Sequence, residues 1–87
     1  MKILFHRYFK KDHAKLRVSE KAKFKEQIKA FVEDPFNPTL GNHVLHGKYR
    51  GCRSISVGGD LRAVYEVVGK EEYFFIAIGT YAKLYRE

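Results

Sequence analysis

Five side chains in the second half of the chain are of types that move protons or hold anions: His43, Asp60, Arg62, Tyr81 and Tyr85. An imidazole titrates near neutral pH, so His43 can take or give a proton. A guanidinium forks two N–H groups onto phosphate oxygens, which is what Arg62 offers. Asp60 can orient an imidazole or share its proton. Tyr81 and Tyr85 can stack on a base or hold a hydroxyl. Together these groups suit metal-free cleavage of an RNA phosphodiester. That reaction needs a base for the 2′-hydroxyl, a cation for the crowded phosphorane-like transition state, and an acid for the leaving 5′-oxygen. Asp60 and Arg62 are two residues apart and share a face of a strand, as do Ser54 and Ser56. Gly58-Gly59 between the pairs signals a tight hairpin that brings them together. The expectation is a cleft lined by Ser56, Asp60 and Arg62, with His43 and Lys48 in the loop that leads into it.

Each residue also has an ordinary structural use. An aspartate after Gly-Gly is often a turn former, and spacing alone favours that for Asp60. Arg62 can be a surface partner of Asp60, His43 a loop histidine, and Tyr81 and Tyr85 core or edge aromatics. His43-x-x-His46 has a spacing seen in metal sites, but no third ligand accompanies it, so no metal is expected. Gly47-Lys-Tyr-Arg-Gly51 lacks the Gly-Lys-Ser/Thr ending of a phosphate-binding loop. The single cysteine, Cys52, excludes an internal disulfide and a Cys-based zinc site, fits a reducing cytosol, and reads as a small buried filler.

The elements that must position these groups follow from periodicity. Residues 2–5 read as a first strand, and Tyr8 to Leu16 as a short helix with Phe9 and Leu16 on one stripe. Ser19 is the expected N-cap of a second helix, with Glu20 in its first turn. Phe24, Ile28, Phe31 and Val32 repeat at helical spacing and turn the lysines outward. Asp34-Pro35 and Asn37-Pro38 end that helix. Residues 39–51 read as a loop. The period then changes to two: Ile55 and Val57 face one way, Cys52, Ser54 and Ser56 the other. Leu61 to Val67 alternate likewise, Gly69-Lys70-Glu71 makes a second turn, and Tyr73 to Thr80 are apolar on both faces, as in a central strand. Tyr81 to Tyr85 read as a short helical turn. Segregated helices and tight hairpins make one α+β domain over residues 1–87, with the helix pair on one face of the sheet and the other face left partly open.

Charge is unevenly placed. Residues 1–32 hold ten bases against three acids, whereas residues 33–87 hold seven of each, so the whole net charge of +7 lies in the first third. Such a surface attracts polyanions or an anionic protein, and is also what a solvated lysine-rich helix looks like. The longest apolar run, Tyr73 to Ile78, is too short to span a bilayer, and Met1 to Phe5 lack the long apolar region of a signal peptide, so no membrane association is expected. Lys48, Arg50, Arg53 and Arg62 surround the lone acid Asp60, and Lys48, Arg50, Arg53 and Ser56 are the candidate RNA contacts.

Three runs, in order, resemble the RelE/ParE superfamily of bacterial toxins, and within it the YafQ-like branch of RelE messenger-RNA interferases. They are His43-Val-Leu-His-Gly-Lys-Tyr-Arg-Gly-Cys-Arg-Ser-Ile, Gly59-Asp-Leu-Arg-Ala-Val-Tyr65, and Ile78-Gly-Thr-Tyr-Ala-Lys-Leu-Tyr85. The resemblance spans nearly the whole chain. It implies a compact RNase fold, with an N-terminal strand and a two-helix hairpin against a twisted antiparallel sheet. It implies a cytoplasmic, plasmid-stabilising type II toxin that inhibits translation by cutting messenger RNA in the ribosomal A site, by 2′-hydroxyl attack and without a cofactor. It further implies a cognate antitoxin that wraps the toxin in a hetero-oligomer. His43 and Asp60 stand at the catalytic histidine and aspartate of the branch, Arg62 at the arginine set against the scissile phosphate, and Tyr85 at the C-terminal aromatic. Two positions depart. Ser56 replaces a histidine or lysine, and Tyr81 replaces the histidine of Gly-Thr-His. Activity is therefore expected to be weaker, rearranged around His43 and Tyr85, or absent. A ParE-type inhibitor of DNA gyrase and a non-catalytic antitoxin-binding member are the alternatives.

Overall fold

A computed structural model describes residues 1–85. Strand β1 (Lys2–Phe5) leads into helix α1 (Arg7–Ala14) and then helix α2 (Val18–Glu33). A 3₁₀ turn (Pro38–Leu40), strand β2 (His43–Val44) and a second 3₁₀ turn (Gly47–Tyr49) follow. Strands β3 (Arg53–Gly58), β4 (Leu61–Gly69) and β5 (Glu72–Thr80) then run directly into the one-turn helix α3 (Tyr81–Tyr85). The five strands form one sheet in the order β1-β5-β4-β3-β2. The pairings are antiparallel except β1–β5, which is parallel. The sheet is thus mixed where the sequence suggested all-antiparallel. The helical hairpin between β1 and the meander returns the chain to the same end of the sheet, and this fixes the parallel pair.

The apolar stripes dictate the layering. Phe9 of α1 and Phe24 and Phe31 of α2 are buried against Ile55, Ala63 and Phe75. Phe31 sits edge-on to Tyr65, Tyr73 and Phe75, with ring centroids 5.0, 5.4 and 5.5 Å away. Burying each such ring contributes about 1.5–3 kcal/mol. Val32, expected on the same stripe, is 47% exposed, because Phe31 and Ile28 already fill the contact and position 32 falls past its edge.

Local caps differ from expectation in one place. The N-cap of α2 is Arg17, and Ser19 lies inside the first turn. Glu20 decides this, because its Oε1 accepts the Arg17 backbone N–H at 2.9 Å. Pro35 ends α2 at Glu33 as expected. Asn37 caps the next turn by accepting from Thr39 N at 3.0 Å.

The face away from α1 and α2 is less open than the sequence suggested. A second, smaller core of Leu45, Cys52, Val64 and Leu84 lies there, with Tyr49 and Tyr85 packed against it. It forms because the 45–52 loop, from the β2 edge, and α3, from the end of β5, fold over the same face of the sheet. Irregularities in the β4–β5 register, between Val64 and Tyr65, place Phe75 and Ile78 on the helical side and Ile76 and Ala77 on the other. That is why β5 reads as apolar on both faces. Gly59 takes φ 56° in the β3–β4 turn, a conformation that a residue without Cβ adopts at no steric cost.

Candidate active site

Cross-strand register brings the site together. His43 of β2 is opposite Ser54 of β3, and Ser56 of β3 is opposite Arg62 of β4. Opposed residues share a face. All four side chains therefore project from the sheet on the side away from α1 and α2, as expected from Ile55 and Val57 pointing inward.

Arg62 reaches diagonally across this face to Ser54 and His43. Its Nη2 lies 2.8 Å from Gly41 O, 2.9 Å from Ser54 Oγ, 3.2 Å from Ser54 O and 3.1 Å from His43 Nδ1, while Nε donates to Ser54 Oγ at 3.2 Å. Nη2 carries only two protons. The two shortest contacts, Gly41 O and Ser54 Oγ, account for both. His43 Nδ1 is itself 3.0 Å from Gly41 O. We therefore assign the Nδ1–H tautomer, donating to that carbonyl. His43 Nε2 is then an unshared lone pair, and Arg62 Nη1 is left without a hydrogen-bond partner among the described residues. Gly41 makes the arrangement possible. Its φ is +53°, and a Cβ there would stand 3.6 Å from Arg62 Nη1.

His43 also borders a cavity of about 440 Å³ lined by His46, Lys48, Tyr81 and Tyr85 among others. Tyr81 and Tyr85 are one turn apart on α3, with ring centroids 4.4 Å apart. Tyr81 is 57% exposed. The Tyr85 hydroxyl is buried with no partner among the described residues. A buried unpartnered hydroxyl costs about 1–3 kcal/mol, which a ligand oxygen or a water could recover. Tyr49 stands edge-on to Tyr85 at 6.1 Å. Burial, then the neighbouring Tyr85, Cys52 and Asp12, push its phenol above the ordinary value, so it acts as a neutral wall. Burial, then Glu66, likewise push the Cys52 thiol up. Cys52 is therefore the inert filler the sequence indicated.

Four predicted residues sit elsewhere than expected. Asp60 is an exposed turn residue preceding β4, so strand alternation does not carry it onto the face of Arg62. Its carboxylate has no hydrogen-bond or ion-pair partner among the described residues. Its backbone carbonyl accepts from Tyr81 N at 2.8 Å and anchors the start of α3. Arg53 alternates with Ser54 and so turns to the helical side, where Nε donates to Asn42 Oδ1 at 2.8 Å and the guanidinium lies over Phe36 at 5.2 Å. Arg50 is exposed at the end of the second 3₁₀ turn, outside the cavity lining. Ser56 lies beside Arg62 in register but lines no cavity with His43.

Two residues absent from the sequence-based set are central to the geometry: Ser54, fully buried, and Asn42. The Asn42 Nδ2 donates to Pro35 O and Tyr65 Oη, each at 2.8 Å, and so pins the segment that delivers His43. Their signal in the sequence is only position: Ser54 shares the alternation of Ser56, and Asn42 precedes the histidine.

No curated protein matches the chain by sequence. Among solved structures, YafQ from E. coli strain BL21(DE3) is 23% identical over 95% of this chain and 96% of its own, with a TM-score of 0.75. A YoeB/ParE toxin from Agrobacterium tumefaciens is 20% identical over 93% of this chain and 99% of its own, with a TM-score of 0.77. The toxin of the E. coli DinJ-YafQ toxin-antitoxin complex is 22% identical over 95% of this chain and 94% of its own, with a TM-score of 0.72. These likenesses carry the fold. The model of the family described as the bacterial toxin of type II toxin-antitoxin systems, YafQ, matches residues 1–86. The resemblance drawn from the three sequence runs is thus borne out, and this chain belongs to the YafQ family of type II toxin–antitoxin toxins.

Proposed function

We propose that this toxin is an endoribonuclease that cuts messenger RNA on the ribosome through 2′-hydroxyl attack. The observation that carries it is the contact of Arg62 with His43, 3.1 Å from Nη2 to Nδ1, at the edge of a cavity walled by Lys48, Tyr81 and Tyr85. His43 Nε2 takes the 2′-hydroxyl proton. Its Nδ1–H to the Gly41 carbonyl holds the ring in that tautomer. Arg62 meets the non-bridging phosphate oxygens through Nη1, held rigid from behind by Ser54. Preorganised donors of this kind are worth the most where charge grows in the transition state. Tyr81 is exposed enough to stack on a base, and Lys48 faces the backbone. Asp60 acts here through its carbonyl on α3.

The basic surplus serves a separate surface. Lys10, Lys21, Lys25 and Lys29 rim an apolar groove floored by Phe5, Phe24 and Ile28, on the helical side of the sheet. An acidic, amphipathic segment of an antitoxin complements it, and the E. coli relative is seen in complex with DinJ. No described helix is long and apolar enough to cross a membrane. The proposed place of action is the cytoplasm, where ribosomes are.

Induction without antitoxin tests the function. The expected result is growth arrest with newly cleaved transcripts, relieved by Arg62→Ala. Arrest with intact transcripts and an induced SOS response supports a gyrase inhibitor instead. No arrest from well-expressed toxin supports a non-catalytic member.

A further inference from the structure

The proposed reaction needs a second proton carrier, and the two positions at which relatives are expected to carry one hold Ser56 and Tyr81. A phenol and an ammonium both titrate well above neutral pH and donate poorly at physiological pH. An imidazole is better matched.

The chain has four histidines, and three have visible tasks. His6 Nδ1 accepts from Tyr8 N at 3.0 Å and caps α1. His13 is packed between Phe9 and Phe24, with ring centroids 6.1 and 5.5 Å away, and burial followed by Lys21 lowers its pKa. His43 is fixed by the hydrogen bond from its Nδ1 to the Gly41 carbonyl. His46 is the fourth. It stands at the N-cap position of the Gly47–Tyr49 turn but makes no capping bond with its side chain. Its ring is exposed, without a hydrogen-bond partner among the described residues, and lines the same cavity as His43, Tyr81 and Tyr85. Leu45, buried between the two histidines, ties the loop to the second core, and Leu45 N donates to Cys52 O at 3.0 Å. His46 is thus held at the cavity wall by its neighbours while its own ring stays uncommitted.

We infer that His46 is the general acid of this toxin, the group that protonates the leaving 5′-oxygen. The inference rests on the nuclease function proposed above. In the step, His43 Nε2 removes the 2′-hydroxyl proton, the 2′-oxygen bonds to phosphorus, the P–O5′ bond breaks, and the imidazolium of His46 gives its proton to O5′. The products are a 2′,3′-cyclic phosphate and a 5′-hydroxyl. No net proton is consumed, and the two histidines end in exchanged protonation states.

The test compares wild type, His46→Gln and His43→Ala on ribosome-bound message from pH 5 to 9. Wild type is expected to show a bell-shaped rate profile. His46→Gln should be slower by about 10²-fold or more and lack the alkaline limb, and His43→Ala should lack the acidic limb. A message with sulfur at the bridging 5′ position separates acid catalysis from structure, because a thiolate leaves without protonation. On it, His46→Gln should recover wild-type rate and His43→Ala should not. His46→Gln cleaving ordinary message like wild type, or staying equally slow on the thio substrate, overturns the inference and leaves the nuclease function standing. Wild type cleaving neither substrate overturns both.

Discussion

Arg62 shows how a short strand row is turned into a rigid cation. Its guanidinium is anchored on Ser54 and Gly41 along one edge and open along the other. Ser54→Ala removes the hydroxyl that receives both Nε and Nη2. Cleavage is expected to fall about tenfold, mostly in kcat, since loosening a positioned group by a fraction of an ångström costs orientation more than binding. Arg62→Lys should fall further, about 10²-fold, because an ammonium cannot keep both the anchor and the phosphate contact. Single-turnover cleavage assays check both. His13 gives a prediction of pH dependence. Its folded pKa is lowered by burial and by Lys21, so the unfolded chain binds the proton more readily. Its contribution to stability is complete above the unfolded value and is lost as pH falls toward the folded one. Thermal melts at pH 7.5 and 5.5 should show a smaller acid-induced drop for His13→Leu than for wild type; an equal drop contradicts this. At this scale the sequence was legible where chemistry restricts the residue type. His43 and Arg62 stand out because few side chains do their work. Ser54 did not, since a strand serine has many uses, and Asp60 lies in the turn that spacing alone favours for it.

Elements decide how accurately His43 is delivered. It belongs to a strand of two residues, too short to display any period, so periodicity alone gives β2 as loop. What holds it is side-chain bonding at Asn42, which joins the end of α2, β3 and β4 by accepting from Arg53 and donating to Pro35 and Tyr65. Asn42→Ala strands the Tyr65 hydroxyl, whose burial already pushes its pKa up. A loss of about 2 kcal/mol in urea unfolding is expected, with slower cleavage as a second consequence; unchanged stability would count against the role given to Asn42. The long elements were legible because their stripes repeat: Phe24 and Phe31 fixed the buried face of α2, and Ile55 and Val57 fixed that of β3. The parallel β1–β5 pair and the β4–β5 irregularities were not, since strand partners and bulges are set by tertiary packing rather than by local pattern.

Across the whole molecule, charge and chemistry lie on opposite sides of one sheet. The lysines of α1 and α2 surround a groove on the helical face, while Arg62, His43 and the tyrosines of α3 occupy the other. The uneven charge was plain in the sequence, but its separation from the site was not, because that depends on which face each helix covers. Two surfaces can be disabled independently. Lys21→Glu together with Lys25→Glu should weaken an acidic antitoxin by at least tenfold in titration calorimetry and leave cleavage within about twofold, since exposed charges act chiefly within a Debye length. Comparable loss of both activities would contradict the separation. The account as a whole rests on the guanidinium–imidazole pair serving cleavage of RNA. Primer extension on transcripts from cells induced for wild type, Arg62→Ala or His43→Ala tests it most directly. New 5′ ends within coding sequence are predicted for wild type and their loss in both variants at equal toxin levels, whereas the same ends in all three strains, or none in arrested wild-type cells, would contradict it.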